Sequence, residues 1–315
     1  MENLHFWVLF NAFVLGLLVL DLYVLNKKSK TVNIKEALWW SAFWIGLAVA
    51  FNIFVYIWRG EEAGLQFLTG YLIEESLSVD NLFVFMIIFS FFKVPPEYQR
   101  KVLFWGIIGA LVLRAAFILV GVSLIHHFAF TVLILGAFLI YTGIKMLTSG
   151  DKEIDPKKNP AISLVQKIMP VTKHYHEDKF FVKIRNIRFA TPLFIVVLVI
   201  ETTDVIFAAD SIPAILAVST DSFIVYTSNV FALLGLRSLY FALAGIMQLF
   251  HYLNYGLSAI LIFIGAKLIA GFWHYELDMK IALGAVAGIL TLSIILSILF
   301  PKKAEVEEPE EVKHS

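Results

Sequence analysis

The sequence predicts an all-α polytopic membrane protein, and three observations carry the prediction. Hydrophobic residues make up 59% of the 315-residue chain, charged residues only 16%, and mean hydropathy is +0.81, outside the range of ordinary soluble domains. The apolar residues are gathered into runs of about 20 or more, the length a helix needs to cross a bilayer. None of the runs alternates with the period of two that a membrane barrel would show. Backbone groups in lipid need internal partners, so the runs are helices.

Nine such runs follow in order, at about 4–25, 37–58, 66–92, 102–125, 127–148, 190–218, 223–249, 251–273 and 279–300. Only His5 could be basic ahead of the first run, so the positive front of a cleaved signal peptide is missing and a retained helix is expected. The turn between the fourth and fifth runs is marked only by His126 and His127. A polar segment over 149–189, with Pro156, Pro160 and Pro170, separates the first five runs from the last four. Within it, 162–168 has the pattern of a short interfacial helix. The acidic tail 301–315 is too polar to bury a core of its own.

Formal net charge is zero, but the charges are segregated. Most of the 25 basic residues fall in alternate loops: Lys27 to Lys35, Lys93 to Lys101, Lys152 to Arg188, and the tail. The opposite loops offer Arg59 and Lys280. Basic loops stay on the cytoplasmic side, which predicts an outer N-terminus, a cytoplasmic C-terminus and a cytoplasmic 149–189 loop. Cysteine is absent, excluding disulfides, thiolate metal sites and thiol redox chemistry in this chain. Neither a His-Glu-x-x-His nor a Gly-x-Ser-x-Gly arrangement occurs, so an intramembrane hydrolase is not expected. Nucleic acid is not an expected partner, the lipid bilayer is, and no protein partner is legible.

One acidic pattern occurs twice. The chain has Glu74-Glu75-Ser76-Leu77-Ser78-Val79-Asp80-Asn81 in the third run and Asp204-Val205-Ile206-Phe207-Ala208-Ala209-Asp210-Ser211 in the sixth. Glu74 aligns with Asp204, Asp80 with Asp210, and Asn81 with Ser211. Leu111-Val112-Leu113-Arg114 likewise matches Leu234-Gly235-Leu236-Arg237, and Gly143-Ile144-Lys145 matches Gly265-Ala266-Lys267. The organisation is therefore two N-terminal helices (1–65), a three-helix repeat (66–148), the loop (149–189), a second three-helix repeat (190–273), a last helix (274–300) and the tail (301–315). Units with an odd number of helices enter the membrane from opposite faces, so spans 3–5 and 6–8 form an inverted 3+3 repeat of the kind that holds a binding site near the midplane.

A carboxylate at the centre of a spanning helix costs roughly 2.5–3.5 kcal/mol on insertion scales, and intramembrane acids are functional candidates by default. The oxygen donors here form a hard set suited to Mn²⁺, Mg²⁺ or Ca²⁺. The six acids Glu74, Glu75, Asp80, Glu201, Asp204 and Asp210 outnumber the four basic groups Arg114, Arg237, Lys145 and Lys267 within spans. A divalent cation or two protons would fill that deficit. The bland alternative is that the acids make interhelical salt bridges that only fix packing. Arg114 and Arg237 are counter-charges or moving gate elements, and Glu75 faces the site or bonds a neighbour. Residues six apart on a helix are rotated by about 120°, so a shared site requires an unwound, bulged or tilted helix. Pro213, which cannot bond the Ala209 carbonyl, offers a cause in the second copy.

The stretches Phe67-Leu68-Thr69-Gly70-Tyr71-Leu72-Ile73-Glu74, Ser76-Leu77-Ser78-Val79-Asp80-Asn81, Ala190-Thr191-Pro192-Leu193 and Asp210-Ser211-Ile212-Pro213-Ala214 resemble the signature of the TerC family, as does Ser228-Asn229 through Leu236-Arg237. The resemblance covers roughly residues 4–300 and is strongest to the Alx-like branch. It implies a bacterial inner-membrane protein of the lysine-exporter-like superfamily, associated by name with tellurium resistance, whose favoured activity is manganese efflux. The implied metal ligands are Glu74, Asp80, Asn81, Asp204, Asp210 and Ser211, with Glu201 as a further candidate. Mn²⁺ is then cargo rather than a resident cofactor, of which none is expected. The expectation is a non-enzymatic exporter working by alternating access, with proton antiport as a coupling scheme. Its alternatives are a membrane scaffold of a stress-resistance complex and an exporter of another cation such as Ca²⁺.

Overall fold

The computed structural model of the chain describes residues 4–25, 34–128, 130–148, 159–243, 252–275 and 277–300. The long helices are α1 (Leu4–Leu25), α2 (Ile34–Arg59), α3 (Glu61–Phe91), α4 (Pro96–His127), α5 (Thr131–Thr148), α7 (Pro192–Leu216), α8 (Ser222–Leu243), α9 (Leu253–Phe272) and α10 (Met279–Leu299). Between α5 and α7 come the short helix α6 (Pro160–Ile168) and the strands β1 (Phe181–Ile184) and β2 (Ile187–Ala190). Within the described residues each predicted apolar run falls on one long helix, and 244–249 of the seventh run lie outside them. Seven of these helices are long and apolar enough to cross a membrane. In α3 the acids Glu61, Glu62, Glu74, Glu75 and Asp80 dilute the apolar character, and in α1 the apolar stretch is the shorter His5–Val19.

Helix ends follow local chemistry. Gly60 sits at φ 95°, a conformation nearly free only for glycine, and lets α2 stop and α3 begin at Glu61, ahead of the predicted 66. Pro96 opens α4 in the first turn, where its missing N–H costs nothing. The α4–α5 turn falls just after the two histidines, between His127 and Thr131. The acidic tail and residues 149–158 of the connector lie outside the described residues.

The rest of the connector departs from a purely all-α expectation. β1 and β2 pair antiparallel, Lys183 opposite Arg188 and Ile184 opposite Ile187. Arg185 and Asn186 make the turn at φ 47° and 69°, both left-handed, as tight hairpin turns require. The segment is docked rather than solvated throughout. Tyr175 Oη donates to the Phe92 carbonyl at 2.8 Å, and Lys101 pairs with Asp178 at 2.8 Å. That lysine holds the Asp178 carboxyl below its ordinary range, whereas burial pushes the Tyr175 phenol up to about 12. Val165 of α6 is buried in the same cluster as Val196 and Val199 of α7.

α8 is the most enclosed helix, with every residue from Phe223 to Ser238 buried. It packs against α2, α3 and α4, so its Thr227, Ser228, Asn229 and Arg237 face protein rather than lipid. α1 closes the outside through Phe10, which lies edge-on to Phe223 and Tyr226. The main pairings between α3, α4, α5 on one side and α7, α8, α9 on the other are α3 with α8, α4 with α7, α5 with α9, α3 with α7 and α4 with α8. Exchanging α3, α4, α5 for α7, α8, α9 returns the same set.

The α5–α9 crossing shows the exchange at atomic detail. A Cβ on Gly143 would meet the Ser258 carbonyl oxygen at 2.8 Å, and one on Gly265 would meet the Gly136 carbonyl oxygen at 2.7 Å. Gly143 and Gly265 are matched positions of the two similar sequences, and Gly136 and Ser258 each stand seven residues before them. Small side chains let the backbones touch.

Candidate functional site

Four helices converge on one guanidinium. Arg114, in the middle of α4, is 1% exposed, and Glu74 of α3 and Asp204 of α7 are 0% and 3% exposed. Arg114 Nη2 donates to Asp204 Oδ1 at 3.1 Å and Nε to Oδ2 at 3.3 Å, a forked pairing that suits a planar guanidinium. Its Nη1 donates to Glu74 Oε1 and lies 3.5 Å from both Ser211 Oγ and Asn229 Oδ1. Asn229 Nδ2 in turn donates to Glu74 Oε2 at 3.0 Å, and Ser78 Oγ to Glu74 Oε1 at 3.3 Å.

Glu74 and Asp204 are the first acids of the two matching sequence patterns, and they hold the same guanidinium. Two carboxylates against one guanidinium leave one formal negative charge in a region sealed from water. Ionised groups survive such burial only when paired and hydrogen-bonded, and here both acids are.

The helix period explains which predicted residues come together. Residues seven apart differ by only about 20° in direction. Ser211 therefore shares a face of α7 with Asp204, and Asn81, buried in α3, stands in the same relation to Glu74. Residues six apart do not share a face, and neither helix breaks to bring them together: α3 and α7 run uninterrupted through both patterns. The expected unwinding at Pro213 is not observed. That proline is buried inside a continuous α7, where loss of a single backbone bond is tolerated.

Asp210 accordingly turns to another neighbour. Thr142 Oγ1 of α5 donates to Asp210 Oδ1 at 3.2 Å, so the half-buried Asp210 belongs to an α5–α7 contact apart from the Arg114 centre. Asp80 lies in α3, but its side chain is outside the described ones. Glu75 is half-buried, and its Oε2 has no hydrogen-bond partner among the described residues. Glu201, one turn before Asp204, rests its carboxylate directly against Gly109 of α4, where a larger residue would have to push it aside. Arg237 is buried in α8, about two turns beyond Asn229.

Among the described residues, no three His, Asp or Glu side chains are grouped closely enough to hold a metal ion. The guanidinium of Arg114 fills the space between the two acids. Asn229 and Thr142 were not singled out as ligands from sequence. A polar residue deep in an apolar run was the available signal for both, and in α8 it points to Asn229.

Residues 59–305 match the family described as "Integral membrane protein TerC family". The chain belongs to the TerC family. This TerC protein is a multi-pass integral membrane protein. It is 45% identical over 307 residues to "Uncharacterized membrane protein STKORF319" of Myxococcus xanthus, covering 98% of this chain and 96% of that one. It is 42% identical over 301 residues to a Salmonella typhi protein named "Putative membrane-bound redox modulator Alx", covering 92% and 93% of the two chains. A protein of the same name from Escherichia coli K12 gives the same identity and coverage. No solved structure matches.

Proposed function

We propose that this TerC protein is a secondary transporter that exports a divalent cation, Mn²⁺ first among the candidates, across the bacterial inner membrane by alternating access. In this reading nine helices span the bilayer, α3–α5 and α7–α9 are inverted repeats, and the basic loops with the C-terminus are cytoplasmic. The observation that carries it is the Arg114 guanidinium held between Glu74 and Asp204, one equivalent acid from each repeat. The exchange-symmetric helix pairing supports the same reading.

Arg114 then acts as a tethered competitor of the cargo. A divalent cation meeting Glu74, Asp204 and the oxygens of Ser211, Ser78 and Asn81 displaces the guanidinium, and release of the metal lets it return. Asp80 and Asp210, one helical face away, serve as ligands along the path, with Glu201 and Glu75 as outlying carboxylates and Arg237 as the second repeat's counter-charge. Carboxylates that lose the metal outside can carry protons inward. A redox effect of the kind named for the Alx relatives would pass through metal supply here, because this chain has no cysteine.

The test is uptake of Mn²⁺, Mg²⁺ and Ca²⁺ into inside-out vesicles. Asp210→Asn and Asp80→Asn should abolish uptake while the protein remains in the membrane, and normal uptake by both variants would remove the proposed path. Uptake unaffected by a proton-gradient dissipator would remove the antiport component alone. A scaffold of a stress-resistance complex would keep its phenotype in these variants.

A further inference from the structure

We propose that the β1–β2 hairpin is a foot on the bilayer surface that takes anionic phospholipid headgroups through Lys183, Arg185 and Arg188. The register places Lys183 directly opposite Arg188. Cross-strand partners point to the same face of a sheet, and like charges there repel. None of the three basic side chains makes an ion pair among the described residues, and all are exposed. The strands are only four residues long, and an exposed like-charge pair at their centre offers a surface that an anion would relieve.

The direction of that face identifies the anion. Phe181 shares it, and the Phe181 ring lies 4.5 Å from Phe194 in the first turn of α7. Because α7 is long and apolar enough to cross the membrane, its first turn stands at headgroup level, and the basic pair is turned toward that level. Phe180, immediately before β1, lies edge-on to Trp105 at 6.3 Å, on a side of α4 where Trp105 is 46% exposed. Aromatic rings gather at this depth of a bilayer.

Because the chain has no cysteine, Asn186→Cys, in the turn beside the basic pair, provides a single site for a nitroxide. The full-length protein is placed in nanodiscs of phosphatidylcholine, with and without phosphatidylglycerol, and accessibility of the label to an aqueous relaxation agent is measured. Protection that appears only with phosphatidylglycerol is expected. The Lys183→Gln/Arg185→Gln/Arg188→Gln variant should lose it, with affinity falling about fivefold for each charge removed, and Lys183→Arg/Arg188→Lys should keep it. A label equally water-accessible in both lipids would overturn the proposal. So would protection that ignores phosphatidylglycerol, or that rises with protein concentration as contact between copies would.

Discussion

Replacing Arg114 with leucine would leave Glu74 and Asp204 facing each other in a buried space without a counter-charge. Breaking a buried pair by removing one partner costs about 3–5 kcal/mol. For a chain of this size about 2 °C of melting temperature corresponds to 1 kcal/mol, so thermal unfolding in detergent should fall by about 6–10 °C. The variant Arg114→Leu/Glu74→Gln should recover part of the loss, giving a coupling of about 2 kcal/mol or more. Mn²⁺ should raise the melting temperature of Arg114→Leu more than that of the parent, since both acids are then open to it. A drop below about 2 °C, or strict additivity of Arg114→Leu and Glu74→Gln, would refute the ion-pair centre.

Two further outcomes follow from the fold. Gly265→Val should push α5 and α9 apart, because a Cβ at Gly265 already meets the Gly136 carbonyl oxygen at 2.7 Å; overpacking of this kind costs about 1–3 kcal/mol, and an unchanged melting temperature would contradict the close crossing. Tyr175→Phe removes the bond to the Phe92 carbonyl, a loss of about 0.5–1.5 kcal/mol. Because the folded phenol titrates near 12 and an unfolded one near 10, the folded state holds the extra proton between those values. Stability should therefore fall as pH rises through that window, and Tyr175→Phe should flatten the alkaline limb. An unaltered limb would count against the docked connector.

Much of the architecture was legible in the chain because lipid imposes simple rules. Apolar runs of spanning length located the long helices to within a few residues. The matched pairs Glu74 with Asp204 and Gly143 with Gly265 pointed to a repeat, and the members of each pair meet in the structure, at Arg114 and at the α5–α9 crossing. The hairpin was not legible: Phe181–Ala190 is short, mixed in polarity, and stabilised by Phe194 and neighbouring loop residues rather than by its own pattern. Nor was the continuity of α7, since Pro213 signals a break wherever packing does not hold the helix together.

The sequence alone determined that the chain lives in a membrane, that its buried acids come in equivalent pairs, and that no thiol takes part. Those properties are set by composition and by spacing along one strand of covalent structure. Only the tertiary structure decided how the acids are divided. The 100° step of an unbroken helix sends Asp204 and Ser211 toward Arg114 and Asp210 toward Thr142. The packing of α4 against α7 and α8 then sets one arginine against the leading acid of both patterns. Side-chain direction and the choice of neighbour are properties of packed helices, and no spacing in a single chain contains them.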